Sequence, residues 1–291
     1  MNCISIIGCG KVGTAVGTGL EQLGNKVIFY DIDEKQIEHL KKLGRTATSD
    51  LKYAINDSSF TFICVPTPSH GFMDLSQVIS VTRGIAEALK DKSGYHLAVI
   101  KSTLVPTTCE HTIIPLLSES GKKLGEELGL CVNPEFSTQS TSTWTDDVSY
   151  CRDFFTEDRI VIGEYNRKSG DTLEQLYKPL GKLIFRTNLR TAEMIKCAAN
   201  CMLATKVSFW NEIFVLCQKL GIDSQQVADI VALDPRIGKY GSVHGKAFGG
   251  NCLPKDLEAF ISLAREYNNP VLLEAVKQIN DYMSENYGVR E

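Results

Sequence analysis

The sequence predicts an α/β protein, a doubly wound parallel sheet followed by an all-helical region, and three observations carry that expectation. Short β-branched runs alternate with amphipathic stretches from residue 1 to about 186, a glycine-spaced turn follows the first run, and the β signal stops after Thr187-Asn188. The runs fall at 4–7, 26–30, 60–65, 97–100, 130–132, 160–163 and 183–185. Alternation of this kind reads as parallel βα units, whose strands are reconnected by helices packed on both faces. Beyond them, 191–220 reads as one long helix ending at Gly221, a residue suited to the left-handed position after a helix. Further helices are expected at 223–233, 254–267 and 270–287, and the polar run 137–143 is expected to be a loop. The domain boundary is placed near 187, giving domains 1–186 and 187–291.

Composition excludes several classes of function. The 291 residues, 43% hydrophobic and 23% charged, suffice for two packed domains, and a formal net charge of −4 with scattered lysines and arginines gives no footprint for nucleic acid. No apolar run approaches the roughly 20 residues that cross a bilayer, so no membrane association is expected and the chain is placed in the cytoplasm. Ten cysteines, spread from Cys3 to Cys252 without a CxxC pair, read as thiols in a reducing compartment. Cys197 and Cys201 stand four apart on the long helix, but nothing completes a ligand set, and no metal is expected.

Gly8-Cys9-Gly10-Lys11-Val12-Gly13 lies between the first strand and the first helix, where the GxGxxG spacing has its physical meaning. Glycine lets the backbone approach a pyrophosphate, and the helix N-terminus presents amide hydrogens and positive potential to it. The second strand ends at Asp31, 18 residues beyond Gly13, where a carboxylate accepts from both ribose hydroxyls and repels a 2′-phosphate. The first domain is therefore expected to be Rossmann-like and to take NAD rather than NADP.

Two further stretches carry chemistry. In AFGGNCLPKD, Gly249 and Gly250 permit close passage of a ligand, and Pro254 fits the first turn of a helix capped by Asn251 or Cys252. A thiol at a positive helix end beside Lys255 is favoured as thiolate; these ten residues alone leave open whether Cys252 is a nucleophile or a buried structural cysteine. In AEMIKCAAN, Lys196 and Asn200 project from one face of an apolar helix. A functional ammonium and a lysine whose head reaches solvent both remain open there.

The chain resembles the UDP-glucose/GDP-mannose dehydrogenase family. The resemblance rests on Cys64-Val65-Pro66-Thr67-Pro68, Lys101-Ser102-Thr103, Asn133-Pro134-Glu135-Phe136, Asp158-Arg159-Ile160-Val161-Ile162-Gly163, residues 192–212, Asp234-Pro235-Arg236-Ile237-Gly238 and AFGGNCLPKD, in the family's order. It implies oxidation of the C6 alcohol of a nucleotide sugar to a carboxylate by two NAD, with UDP-glucose favoured because CLPKD is similar to CFPKD. Cys252 is then expected to hold the intermediate as thiohemiacetal and thioester, with Lys196 and Asn200 stabilising the oxyanion. Asp256 is expected to hold the water that is proton acceptor and later nucleophile, with Glu135 assisting hydrolysis and Thr103 binding that water or the nicotinamide region. The resemblance further assigns Val65, Pro66 and Thr67 to the cofactor and Phe136, Phe248, Gly249 and Arg236 to the substrate. Arg236 reaches it across a homodimer built on 191–220, which makes the helical part a dimerisation domain.

The sequence departs from the family's pattern in three places. Gln139 stands where the family carries a second glutamate, Ala247 replaces a glycine, and Leu104-Val105-Pro106-Thr107 replaces a VPPG turn. The family's C-terminal domain has no counterpart among the 291 residues. Two other readings remain: a truncated, catalytically impaired dimeric NAD-binding protein, and a dehydrogenase of the 6-phosphogluconate/hydroxyacid group with a smaller substrate.

Overall fold

The computed structural model describes residues 1–138 and 144–290. Two compact units divide the chain: Met1–Thr67, Asp74–Phe136 and Asp153–Lys196 form the first, and Pro68–Met73, Ser137–Arg152 and Cys197–Glu291 the second. The crossing from one to the other at Lys196/Cys197 falls inside a helix, nine residues beyond the boundary placed near 187.

The first unit is built from β1 (Cys3–Ile7), α1 (Lys11–Gln22), β2 (Lys26–Tyr30), α2 (Glu34–Lys42), β3 (Thr46–Thr48), α3 (Leu51–Asn56), β4 (Phe60–Ile63), α4 (Ser76–Leu89), β5 (His96–Ile100), α5 (Ile114–Ser118), β6 (Leu128–Val132), β7 (Arg159–Glu164), α6 (Arg167–Tyr177) and β8 (Leu183–Asn188). The strand order β3-β2-β1-β4-β5-β6-β7-β8 is doubly wound, reversing between β1 and β4. Strands β4, β5 and β6 are buried along their whole length, which is why they read as unbroken apolar runs rather than alternating ones.

Two features of the sheet differ from the sequence expectation. β7 pairs antiparallel with β6, although it pairs parallel with β8. A parallel return requires a crossover, usually a helix; between β6 and β7 the described residues contain only the single turn Val148–Tyr150. β3, three residues paired to β2 at the sheet edge, is too short to leave a periodic signal.

α7 (Leu189–Leu220) begins directly after β8 and is followed in the second unit by α8 (Ser224–Val231), β9 (Ala247–Phe248), α9 (Leu253–Arg265), α10 (Val271–Tyr287) and β10 (Val289–Arg290). The region is helical with one addition, the two-residue parallel pair of β9 and β10. Its core gathers Trp144, Ala204, Val207, Phe248, Leu257, Ile261 and Val276. Asn211, wholly buried, donates to the Lys246 carbonyl and accepts from Gly245 N–H, both at 2.8 Å, and so fixes the chain entering β9. No helix among the described residues is long and apolar enough to cross a membrane.

A buried polar chain ties the N-terminal ends of the central strands. His96 Nε2 lies 2.8 Å from Thr61 Oγ1, which lies 2.7 Å from Ser5 Oγ, and His96 Nδ1 lies 3.1 Å from Lys92 Nζ. Burial, reinforced by the Lys92 ammonium, pushes the His96 imidazole from 6.5 down to about 3. The folded chain therefore keeps His96 neutral at pH values where the unfolded chain protonates it. Stability from this group is complete above pH 6.5 and is lost as pH falls towards 3. Between about pH 7 and about pH 4.5 the denaturant midpoint of the wild type should fall more steeply than that of His96→Gln; parallel curves would show that the imidazole is not held neutral.

Candidate active site

The glycine turn is shaped by contacts that leave no room for side chains. Gly8 has φ +90°, and a Cβ there would stand 3.1 Å from the backbone of Cys64 and Val65. At Gly13 it would meet the Gly8 carbonyl oxygen at 1.9 Å, so only glycine lets α1 pack this closely on the end of β1. Gly10 caps α1 without a side-chain hydrogen bond, and a Cβ there would meet nothing within 4 Å. Its neighbours Lys11 and Val12 open the helix, Lys11 exposed and Val12 half-buried.

Between the glycines, Cys9 is the hub. Its N–H donates to Asp31 Oδ2 at 2.6 Å, its carbonyl accepts from Thr14 Oγ1 and Gln36 Nε2, and its thiol donates to the Tyr30 carbonyl. Asp31, at the end of β2, also accepts from Asp33 N–H at 3.0 Å. Acid and turn are thus one hydrogen-bonded unit. Thr14 and Gln36 are invisible in the sequence, since a threonine in a helix and a glutamine on α2 carry no spacing signal.

The loops after β4, β5 and β6 are held to one another. Thr67 Oγ1 donates to the Thr103 carbonyl at 2.9 Å, and Ser102 Oγ to the Val65 carbonyl at 2.6 Å. Val65 and Thr67 are buried, and Pro66 between them is exposed. The Asn133 side-chain carbonyl accepts from Lys101 Nζ and Tyr177 OH, while its amide donates to Val161. Glu193, 1% exposed, accepts from the N–H groups of Thr107 and Cys109, both at 2.8 Å. Burial raises its carboxyl above the usual range, and those two donors oppose the rise. Thr107 has φ +79°, in place of the glycine of the resembling turn, and Glu193 holds it there. A buried acid inside an apolar helix was the signal that could have found Glu193.

Beyond β6, the Glu135 carbonyl accepts from Lys196 Nζ at 2.5 Å, and that ammonium lies 5.4 Å from the centre of the Phe136 ring. Lys196 thus sits with Glu135 and Phe136 inside the first unit. Gln139 lies outside the described residues.

In the second unit, Asn200 Nδ2 donates to Asp256 Oδ2 at 2.5 Å, and Lys255 Nζ pairs with the other carboxylate oxygen. Asp256 is 1% and Asn200 6% exposed. Cys252 occupies the N-cap position of α9 without a side-chain capping bond, one turn before Asp256, and is the one exposed cysteine of the ten. Burial pushes the thiols of Cys64 and Cys201 up to about 12 and raises those of Cys3, Cys9, Cys109 and Cys131.

Three residues assigned to substrate, Phe248, Gly249 and Arg236, are held by their own neighbours. Phe248 is a core residue, 2% exposed, and Asn280 binds both its N–H and its carbonyl; Gly249 N–H donates to the Arg290 carbonyl. Arg236 is 87% exposed and paired with Asp234 at 2.6 Å. Among the described residues no group of three or more His, Cys, Asp or Glu is arranged to hold a metal.

Gly8–Gly13, Asp31, 65–67, Thr103 and Glu135 all follow the carboxyl ends of parallel strands, where doubly wound sheets bind ligands. Fold and turn are those of a dinucleotide-binding domain. Residues 42–181 match the NAD binding domain and 190–282 the central domain of the UDP-glucose/GDP-mannose dehydrogenase family, and the chain belongs to that family. A shorter match, 4–76, is to ketopantoate reductase PanE/ApbA. Among relatives, GDP-mannose 6-dehydrogenase of Pseudomonas aeruginosa is 37% identical over 281 residues, 88% of this chain and 63% of the relative. UDP-glucose 6-dehydrogenase AglM of Haloferax volcanii is 34% identical over 96% of this chain and 69% of its own length. Among solved structures, a UDP-glucose dehydrogenase from Pyrobaculum islandicum superposes with a TM-score of 0.89 at 32% identity, covering 98% of this chain and 69% of that one. The chain thus spans 63% of the Pseudomonas relative's length.

NAD fits the residues present. The open space above Gly10 and the uncapped start of α1 suit a pyrophosphate, and Asp31 suits the adenosine ribose. A methyl at position 10 should therefore leave the fold alone and obstruct the ligand. Gly10→Ala is expected to keep the wild-type melting temperature and to weaken NADH binding at least about tenfold by fluorescence titration. Gly13→Ala should lower stability as well; unchanged NADH affinity in Gly10→Ala would place the pyrophosphate elsewhere.

Proposed function

We propose that this chain carries the NAD-dependent oxidation of a nucleotide sugar at C6, from alcohol to carboxylate, with UDP-glucose as the first candidate and GDP-mannose as the alternative sugar donor. The observation that carries the reading is the exposed Cys252 at the tip of α9, one turn from the buried Asp256–Asn200 pair. NAD, when bound, supplies the hydride acceptor for both oxidations.

The chain's own residues then have distinct tasks. In the first oxidation the C6 hydroxyl loses its proton to a water held by Asp256, with Thr103 at that water or the nicotinamide region, and the carbon loses hydride, giving the aldehyde. The Cys252 thiolate adds to the aldehyde carbon, and Lys196 and Asn200 stabilise the oxygen that becomes negative. The second hydride loss converts this thiohemiacetal to a thioester. Water attacks the acyl carbon, assisted by Asp256 and Glu135, and the sulfur leaves as thiolate. Val65, Pro66 and Thr67 line the cofactor's side, and Phe136, Phe248 and Gly249 the sugar's, Phe248 through the backbone that its buried ring fixes.

A homodimer through 191–220 belongs to the same proposal. Met202, Phe209 and Leu216, spaced by seven on α7, are 59%, 52% and 53% exposed and form an apolar stripe. The weak exposed pair with Asp234 leaves Arg236 available to a substrate in the partner copy. Activity within a reducing, cytoplasmic setting accords with ten thiols.

Turnover decides between this reading and a non-catalytic NAD-binding protein. With NAD and UDP-glucose or GDP-mannose the chain should release two NADH per sugar, and Cys252→Ser should abolish carboxylate formation while NADH binding persists. One NADH per substrate, or none with either sugar despite NAD binding, would defeat the proposal. Phe209→Glu should shift the sedimentation coefficient from dimer to monomer; an unchanged coefficient would exclude this helix face as the interface.

A further inference from the structure

A single peptide group in the first unit joins two opposite charges. The Glu135 carbonyl accepts from Lys196 Nζ at 2.5 Å, and the N–H of the same peptide, on Phe136, donates to Glu157 Oε1 at 3.0 Å. Ammonium, amide and carboxylate are therefore connected end to end. Both charges polarise the amide in the same sense, making its carbonyl a stronger acceptor for the cation and its N–H a stronger donor to the anion. Glu157 is 8% exposed, and a carboxylate so placed requires compensation from nearby donors or cations.

The ring of Phe136 supplies a second restraint. Arg159 Cζ stacks 4.1 Å from its centre, and Arg159 is itself paired with Asp158 at 2.8 Å. Lys196 lies 5.4 Å from the same ring centre. Peptide and ring thus contact the ammonium from two sides, and Glu157 and Arg159 are the charges that meet that peptide and that ring.

We propose that Glu157 is a positioning residue for Lys196, acting as its counter-charge through the Glu135–Phe136 peptide, with Arg159 holding the ring beside it. The consequence for catalysis rests on the role proposed for Lys196; the electrostatic relay itself does not. Glu157 anchors the amide against which the ammonium is seated, and its charge attracts the ammonium through that amide. Arg159, a like charge, opposes it.

The two charges predict opposite signs in one experiment. The full chain is labelled with acetic anhydride across a pH series, and the reactivity of Lys196 relative to exposed Lys26 is read by mass spectrometry. Glu157→Gln keeps an acceptor for Phe136 N–H but removes the charge that seats the ammonium, so labelling of Lys196 relative to Lys26 should rise about threefold. Arg159→Gln should lower it. Melting temperatures close to wild type in both variants would separate these shifts from unfolding. Unchanged Lys196 reactivity in folded Glu157→Gln would overturn the proposal. Should that variant not fold, amide hydrogen exchange at Phe136 in the wild type decides: protection supports the relay, and exchange at the rate of an exposed amide overturns it. In the turnover assay, Glu157→Gln should lower kcat with KM little changed. A labelling shift without any sugar oxidation by the wild type would leave the relay standing and remove the catalytic role of Lys196.

Discussion

The close seat of α1 on the end of β1 is the constraint on which the candidate site depends. A side chain at Gly13 would lie 1.9 Å from the Gly8 oxygen, so the helix can start where it does only if both positions are glycine. That start aims the first amides of α1 across the carboxyl edge of the sheet, where the strand order reverses. Cys9 makes the geometry rigid rather than merely permitted. With its N–H, carbonyl and thiol all engaged, the turn cannot relax without releasing Asp31.

The same edge is continued by loops that buried polar groups hold in place. Asn133 joins the ends of β5 and β6 through Lys101, Tyr177 and Val161, and Glu193 joins the turn after β5 to α7. Left unpaired, either group would cost about 1–3 kcal/mol or more; paired, each fixes two segments at once. Thr107 shows the strength of that hold. A β-branched residue at φ +79° is strained by roughly 1–3 kcal/mol, and the two charge-assisted bonds to Glu193 offset that cost.

Much of this was legible in the residues. The glycine spacing and Asp31 announced the turn, and the long helix from 191 to Gly221 was readable from periodicity because nothing interrupts it. The reversal of β7 was not, since a strand's apolar pattern is the same whichever way it pairs. β9 and β10 escaped for a related reason: two residues have no period, and their order depends on Asn211 and Asn280 reaching from distant helices. Lys196 and Glu135 were both singled out, yet neither suggested Glu157, because a bond relayed through a main-chain amide leaves no side-chain spacing to read.

Helix starts explain why one thiol stands apart from nine. Asp33, Asp50 and Asp223 each accept from the first amides of α2, α3 and α8, which quenches the positive end of those helices. α9 begins instead at Cys252, whose side chain makes no such bond, so its positive end remains directed at whatever charge the sulfur or a bound oxygen develops. Asp256 one turn inside would oppose that charge were it bare. It is paired with Lys255 and Asn200, which take up its two carboxylate oxygens. Burial drives the thiols of Cys9, Cys64, Cys109, Cys131 and Cys201 towards the neutral form, whereas Cys252 is exposed. Position on a helix, rather than residue type, is therefore what distinguishes the candidate nucleophile.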